Sequence, residues 1–286
     1  MATAFQALVP YFGAKRAMAQ TIIETIGEHR AYWEPFCGSM AVLLAKPQVS
    51  HETVNDLNGD VINLAMYLQD VSTAEGLYRS LVGTCHCEPI YREAQERLRQ
   101  PIDRAAMPDP VRAMQYMITS WQGMNGLAGI ADKRAACALR WTAGGGHQGA
   151  RWRRVVDSIP AWHERLRGVT IIHRDAFDVL AKIRDEARTA IYCDPPYVRQ
   201  SRGSAERYLH DFRQDLVHDD HSRLADALAR FKQARVVVSY YDCPLVRDLY
   251  SGWHIIPATR RKDLANTGGT KARAGGAAEL LITNDV

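Results

Sequence analysis

Residues 189–197 read TAIYCDPPY, and this stretch decides the fold that we expect for the chain. The mostly apolar residues 190–193 predict a short buried strand. Two prolines then end the strand, because proline fixes φ and has no N–H to donate to a ladder. Ligands of open α/β sheets bind at the carboxyl ends of the strands. The turn is therefore predicted to lie at a ligand site.

The side chains of this turn suit an aromatic amine. Asp194 is a hydrogen-bond acceptor when ionised, and the carbonyl of Pro195 is a second acceptor, held in place by Pro196. Two fixed acceptors match an amino group with two hydrogens, and Tyr197 offers a ring on which a flat heterocycle can stack. An ordinary turn after a core strand is the alternative, so the rest of the chain must decide.

Composition places the chain among ordinary soluble globular proteins. It has 286 residues, of which 47% are hydrophobic and 24% charged, enough for one α/β domain with an insertion. No apolar run approaches the ~20 residues that span a bilayer, and the N-terminus lacks a signal-peptide pattern, so we expect a cytoplasmic protein with no membrane partner. Six scattered cysteines fit a reducing interior. The net charge of +4 mildly favours a polyanionic partner.

Three segments of the first 60 residues are candidates for nucleotide-binding turns. In isolation, residues 9–15 favour a capped helix with a surface lysine, and an ordinary turn between a strand and a helix is the alternative at residues 32–44. Residues 9–15, VPYFGAK, precede a helical pattern, and residues 32–44, YWEPFCGSMAVLL, predict a strand, a glycine turn and a helix. Residues 52–58, ETVNDLN, predict a second strand ending in acidic and amide residues. Asp56 follows the glycine turn by about 20 residues, where a Rossmann site binds ribose hydroxyls. Asn58 is expected to cap the next helix.

Residues 85–165 break this pattern, with helical segments joined by proline- and glycine-containing links. They carry 12 Lys and Arg against 8 Asp and Glu, so their difference of +4 equals the net charge of the chain. A basic, glycine-bearing and aromatic insertion favours DNA recognition, although a helical insertion with solvated arginines is the alternative. The adjacent Cys85, His86 and Cys87 lack zinc-finger spacing. Expected phosphate contacts are Arg151, Arg153 and Arg154, and expected base contacts are Gln122, Asn125, His147 and Gln148.

The second half of the chain predicts the remaining strands and two loops. Residues 169–180 predict a strand and then a helix capped by Asp175. A long polar segment after Tyr197, which includes Arg199, is expected to be a lid or a DNA-contacting arm. Residues 253–256 and 279–283 are expected to pair as an edge hairpin. The basic, glycine-rich segment between them, with Lys271, is expected to contact phosphates or to be a disordered surface loop.

The order of these segments resembles that of the alpha-group, Dam-like adenine-specific DNA methyltransferases. The matching motifs are Y-x-G-x-K, EPFxG, the strand-end aspartate and DPPY, with departures at Ala14 and Met40, where the family more often has glycine. The resemblance implies an α/β, Rossmann-like S-adenosylmethionine-dependent methyltransferase sheet. It also implies a catalytic domain of residues 1–84 and 166–286 with an inserted, mostly helical target-recognition subdomain at 85–165.

The resemblance also implies the roles of individual residues. It predicts that S-adenosylmethionine is bound by Tyr11, Lys15, Glu34, Pro35, Phe36, Gly38, Asp56, Asp175 and Asp194. It predicts that Asp194, Pro195, Pro196 and Tyr197 act on the amino group of an adenine flipped out of double-stranded DNA. We expect no metal, a monomer, and a bacterial or phage-encoded enzyme in a stand-alone, prophage or restriction–modification role. The alternatives are an amino-methyltransferase acting on cytosine or RNA, a glutamine methyltransferase, and a catalytically idle DNA-binding relative.

Overall fold

The computed structural model describes residues 5–11, 13, 15–124, 136–139, 147–201, 209–214, 219–258 and 278–284. Within these residues, seven strands form one sheet: β1 Ala31–Glu34, β2 His51–Asn55, β3 Val169–Ile172, β4 Thr189–Cys193, β5 Arg235–Tyr241, β6 His254–Ala258 and β7 Glu279–Thr283. The helices are α1 Ala19–Ile26, α2 Ala41–Ala45, α3 Gly59–Gln69, α4 Val71–Val82, α5 Glu88–Leu98, α6 Pro110–Gln122, α7 Gln148–Val156, α8 Ile159–Leu166, α9 Ala176–Leu180, α10 Asp220–Ala229 and α11 Pro244–Leu249. Short 3-10 turns occupy Lys15–Ala17, Arg104–Ala106 and Arg199–Ser201.

The strand order is β3-β2-β1-β4-β5-β7-β6, and β7 runs antiparallel to both of its neighbours. This mostly parallel sheet, flanked by helices, confirms the Rossmann-like fold that the sequence predicted. β2 pairs with one side of β1 and β4 with the other. The winding of the chain therefore reverses between β1 and β4, and such a reversal opens a crevice at the carboxyl ends of the two strands.

Strand β4 is buried on both faces, as its apolar sequence predicted. Ala190 and Tyr192 enter the hydrophobic core on one face of the sheet, and Ile191 and Cys193 enter the core on the other. A continuous apolar run is typical of a parallel strand that is covered on both sides. The predicted pairing near the C-terminus is confirmed too, because β6 and β7 place Ile255 opposite Ile282.

The helices of residues 85–165 pack against the rest of the fold through α3 and α4. Their apolar side chains belong to the same hydrophobic core as Val54 of β2. Two tryptophans also hold the N-terminal segment, since Trp121 donates to the carbonyl of Leu8 at 2.9 Å and Trp162 donates to the carbonyl of Phe5. The inserted helices thus share a core with the sheet, and their assignment to DNA recognition stays a prediction.

The described residues include neither a membrane-spanning helix nor a cluster of metal-binding side chains. In that part of the chain, no helix has both the length and the apolar character to cross a bilayer. The same residues contain no cluster of three or more His, Cys, Asp or Glu side chains arranged to hold a metal ion.

Candidate active site

The reversal of winding between β1 and β4 brings together the glycine turn after β1 and the 194–197 turn after β4. Both turns line one cavity of about 360 Å³. All nine residues that the resemblance assigned to the cofactor line this cavity, as do Pro195 and Pro196. The sheet produces this arrangement, because β1 and β4 are neighbours and end at the same edge. Residues from six separate stretches of sequence therefore meet there: 11–15, 34–42, 56–57, 175–177, 192–196 and 209–223.

Asp56 holds the glycine turn in place. Its Oδ2 accepts a hydrogen bond from the N–H of Gly38 at 2.7 Å, and its Oδ1 accepts one from the N–H of Asn58 at 2.8 Å. Burial raises the pKa of Asp56 to about 6, against the lowering effect of these hydrogen bonds. The side chain of Asn58 caps α3 by accepting from the N–H of Asp60, which confirms the predicted cap.

The backbone of the glycine turn takes conformations that side chains normally disfavour. Gly38 has φ of 44°, and a Cβ at this position would lie 3.5 Å from the ring of Tyr11. Met40 has φ of 57° and ψ of 32°, in the left-handed region where glycine is the usual residue. Its side chain is nevertheless fully buried. Met40 thus keeps the backbone conformation expected of the glycine that the resemblance implies here.

Glu34, at the end of β1, is a buried carboxyl in the cavity wall. It is 2% exposed, and its Oε2 accepts a hydrogen bond from the hydroxyl of Tyr32 at 2.9 Å. Burial, helped by the negative charge of Asp194, raises the pKa of Glu34 to about 8, although the hydrogen bond from Tyr32 acts to lower it. The group is therefore ready to ionise when a cation enters the cavity.

Asp194 is held by one partner at each carboxylate oxygen. Lys15 Nζ lies 2.8 Å from Oδ2, and the hydroxyl of Ser239 donates to Oδ1 at 2.9 Å. Ser239 is in turn hydrogen-bonded to the hydroxyl of Tyr192 at 3.0 Å. Burial raises the pKa of Asp194, while the ammonium of Lys15 acts to lower it. Each carboxylate oxygen has a further lone pair for a substrate donor.

Lys15 contacts the 194–197 turn and also lines the cavity. Its Nζ donates to the carbonyl of Gly13 at 2.8 Å and lies 3.3 Å from Glu279 Oε1, in addition to its contact with Asp194. Burial acts to lower the pKa of Lys15, but the charges of Asp194 and Glu279 outweigh it and raise the pKa. Lys15 therefore stays protonated beside Asp194.

The ring of Tyr197 is turned away from the cavity. It is 2% exposed, and its hydroxyl donates to Glu279 Oε1 at 2.6 Å. The ring contacts that of Tyr241 edge to face, with centroids 4.6 Å apart. Tyr197 does not line the cavity in this structure, in contrast to the other three residues of the turn. Stacking on a base would therefore require one of its ring faces to become exposed.

Three phenylalanines form an aromatic wall at the other end of the cavity. The ring of Phe212 packs against Phe36 and Phe177, with both centroid distances 5.8 Å. Arg223 lies over the outer face of this group, 3.8 Å from the ring centroid of Phe177. Asp175 caps α9 by accepting from the N–H of Phe177 at 2.8 Å, which confirms the predicted cap.

The expected phosphate contacts lie on or near α7. Arg153 and Arg154 are exposed, and Arg151 is half-buried with its guanidinium 5.3 Å from the ring centroid of Trp121. His147 accepts from the N–H of Ala150 at 3.0 Å and so caps the helix. Outside this group, the exposed Arg199 pairs with Asp211 at 3.4 Å, next to the cavity.

Three expected DNA contacts need separate mention. Gln122 is fully buried, and its amide donates to the carbonyl of Cys85 and accepts from the N–H of Cys87. These bonds leave its side chain unavailable to a DNA base, so the expected base contact is not kept. Asn125 and Lys271 lie outside the described residues.

Sequence reasoning missed three residues of the site, namely Ser239, Glu279 and Phe212. Ser239 interrupts the apolar run of β5, and a buried polar residue inside such a strand is a signal of a functional position. Glu279 begins a strand, and it reaches the ligand edge because β7 is antiparallel. Phe212 lies in a segment without periodicity, where sequence patterns carry little information.

Comparison with known proteins agrees with this geometry. Residues 11–264 match the family model described as D12 class N6 adenine-specific DNA methyltransferase. The chain is 25% identical over 260 residues to the retron Ec67 DNA adenine methylase of Escherichia coli, covering 88% of this chain and 84% of that protein. It is 22% identical over 268 residues to the DNA adenine methylase of Vibrio cholerae serotype O1, covering 92% and 91%.

The family match spans all the motifs from Tyr11 to the strand β6. It includes the 194–197 turn, whose acceptors suit an amino group, and the cavity next to it. The relatives carry names that agree with adenine as the acceptor base. The chain therefore belongs to the D12 class of N6 adenine-specific DNA methyltransferases, enzymes that methylate adenine in DNA.

Proposed function

We propose that the cavity beside Asp194 binds S-adenosylmethionine and that the 194–197 turn holds a flipped-out adenine of double-stranded DNA against it. One observation carries the proposal. A single cavity is lined by the residues expected to bind the cofactor and by the acceptors expected to bind the base. Asp194 belongs to both sets. The volume of about 360 Å³ lies within the usual range for small-molecule sites.

The chemistry of the cavity wall fits this methyl donor. Asp56 is suited to ribose hydroxyls and Glu34 to the ammonium of the methionine part, because both are carboxyl groups in the wall. Phe36 and Phe177 offer apolar ring surfaces to a purine. When bound, S-adenosylmethionine supplies an electrophilic methyl group on its sulfonium.

The protein acts on the adenine mainly by positioning it. The base must leave the helical stack, because its amino group is hidden within a duplex. Asp194 and the carbonyl of Pro195 then accept the two amino hydrogens, and the nitrogen lone pair is left to point into the cavity. The gain comes from proximity and from preorganised charge. Once methylated, the amino nitrogen is cationic and strongly acidic, so it readily releases one proton and Asp194 need not be a strong base. Lys15 contributes by favouring the ionised form of Asp194.

Tyr197 and the helices of residues 85–165 complete the proposal. Tyr197 stacks on the flipped base after one face of its ring becomes exposed. Arg153 and Arg154 contact phosphates, since both are exposed and basic on one helix. Phosphate contacts of this kind orient the duplex without reading its sequence.

The test is methyl transfer from tritiated S-adenosylmethionine to mixed-sequence duplex DNA, followed by digestion to nucleosides. We expect label in 6-methyladenine, and we expect Asp194→Ala to lower the rate at least about 100-fold. Binding of the methyl donor to the variant is measured by calorimetry. Asp178→Ala, an exposed aspartate on α9, is the control and should retain the parent rate. An Asp194→Ala variant with the parent rate would overturn the assignment of the carboxylate, and label in cytosine would overturn the acceptor.

A further inference from the structure

Glu279 joins the two ends of the 194–197 turn through a single oxygen. Its Oε1 accepts from the hydroxyl of Tyr197 at 2.6 Å and lies 3.3 Å from Lys15 Nζ. The same ammonium lies 2.8 Å from Asp194 Oδ2. One carboxylate thus contacts Tyr197 directly and Asp194 through one intervening ammonium.

The ammonium of Lys15 has no donor to spare in this arrangement. It has three N–H groups, and three acceptors lie within 3.3 Å, namely Asp194, Glu279 and the carbonyl of Gly13. Lys15 is 6% exposed, so water does not readily replace a lost acceptor. Without the charge of Glu279, the ammonium would be attracted mainly to Asp194 and would occupy more of its acceptor capacity.

The fold holds Glu279 rigidly at this point. Parallel strands end at the ligand edge of the sheet, whereas β7 is antiparallel and begins there, with Glu279 paired to Tyr241 of β5. The side chain of Glu279 is 2% exposed. The ring of Tyr241 contacts the ring of Tyr197, so the same strand pair supports both Tyr197 and its hydrogen-bond acceptor.

We propose that Glu279 is a positioning residue for methyl transfer, which sets the orientation of Tyr197 and shares the Lys15 ammonium so that Asp194 keeps acceptor capacity for the adenine amino group. The inference rests on the proposed function of Asp194 and Tyr197. Glu279 is not among the residues that line the cavity, so in this proposal it acts through these other side chains.

The pH dependence of the reaction gives a readout that a purely structural role would not change. Burial is the largest cause of the raised pKa of Asp194, and the negative charge of Glu279 raises it as well. Removal of its charge should therefore lower that pKa and move the acidic limb of the rate profile to lower pH. The other titratable groups near Asp194 remain in the variant: Lys15, Glu34, Asp56, Tyr192, Cys193 and Tyr197. Loss of the Glu279 charge also lowers the pKa values of Lys15, Tyr192 and Tyr197.

The test uses Glu279→Gln in the full chain, because glutamine keeps the shape and an acceptor oxygen but removes the charge. Single-turnover methylation of duplex DNA separates the chemical step from product release. We expect the rate to fall about 10-fold to 100-fold, as for a small misplacement of reacting groups, with little change in the Kd of donor or DNA. Thr283→Val, at the other end of β7, is the control and should keep the parent rate.

The outcomes separate this inference from the proposed function. A Glu279→Gln variant with the parent rate and an unmoved acidic limb would overturn the inference, provided that Asp194→Ala is inactive. An active Asp194→Ala variant would instead overturn the proposed function itself. If Glu279→Gln does not fold, Tyr197→Phe removes the same hydrogen bond from the other side. A lowered rate with unchanged donor binding supports the inference, and an unchanged rate contradicts it.

Discussion

Glu34 shows how a residue of the proposed cofactor site can reduce the stability of the folded chain. Its pKa is about 8 in the folded chain, well above its ordinary value of 4.5, because burial disfavours the charge. As the pH rises between these two values, the unfolded chain loses a proton that the folded chain keeps. The free energy of unfolding therefore decreases with pH over this range. The loss of stability occurs at a carboxyl group that, in our proposal, ionises when the ammonium of the ligand binds beside it.

We predict that Glu34→Gln removes this pH dependence. Relative to the parent, the variant should gain about 1 to 3 kcal/mol in free energy of unfolding between pH 5 and pH 8, because glutamine does not titrate. Urea unfolding at the two pH values measures the change. Glu164→Gln, an exposed glutamate on α8, is the control for general effects of charge. Identical pH dependence of the parent and Glu34→Gln would contradict the prediction.

At the scale of elements, the turn between β1 and α2 combines a disfavoured backbone with a buried side chain. Met40 precedes α2 in a left-handed conformation, which costs a residue other than glycine about 1–2 kcal/mol. Its fully buried side chain stabilises the fold by more than this, since Met→Ala in a core costs about 2–5 kcal/mol. Packing therefore outweighs backbone strain, and methionine is tolerated where glycine would be the easier residue.

We predict an unusual order of stability for substitutions at Met40. Met40→Ala and Met40→Gly should both be less stable than the parent, but the glycine variant should be more stable than the alanine variant by about 1 kcal/mol. Met117, fully buried within α6, is the matched control. At this position the alanine variant should have a free energy of unfolding about 1 kcal/mol higher than that of the glycine variant. Urea denaturation of the four variants measures both differences. The same order at both positions would refute a strained backbone at Met40.

At the scale of the whole molecule, the helices of residues 85–165 are attached firmly to the catalytic sheet. Trp121 bonds to the backbone of Leu8, and Leu8 in turn donates to the carbonyl of Ser39 in the glycine turn. Arg151 lies over the ring of Trp121, so α7 is linked to the cavity through a short series of contacts. A duplex bound at α7 would therefore be held in a fixed relation to the cavity.

We predict that replacing both Arg153 and Arg154 by alanine weakens DNA binding uniformly across sequences. The slope of log affinity against log salt should become shallower by about 2, since each phosphate contact contributes about 1. Fluorescence anisotropy at several salt concentrations measures the slope, and calorimetry should give an unchanged donor Kd. Lys182→Ala is the control, because the exposed Lys182 follows α9, which packs on the opposite face of the sheet from α7. An unchanged slope in the double variant would remove α7 from the proposed DNA contacts.

The sequence by itself determined the local elements of the site. A continuous apolar run predicted β4, two prolines ended it, and the short polar side chains of Asn58 and Asp175 predicted two helix caps. These features depend on neighbours within a few residues, so they can be read from the chain. The order of the motifs resembles that of a known family, and this resemblance also predicted the sheet.

Only the tertiary structure decided which distant side chains complete the site. Glu279 reaches Tyr197 across 82 positions because β7 is antiparallel, and Ser239 reaches Asp194 because β5 lies beside β4. Burial likewise removed Gln122 from the expected base contacts. Such contacts depend on strand order and on packing between elements, which local sequence patterns do not specify. The sequence therefore predicted most of the residues that line the cavity, whereas the fold decided which other side chains hold those residues in place.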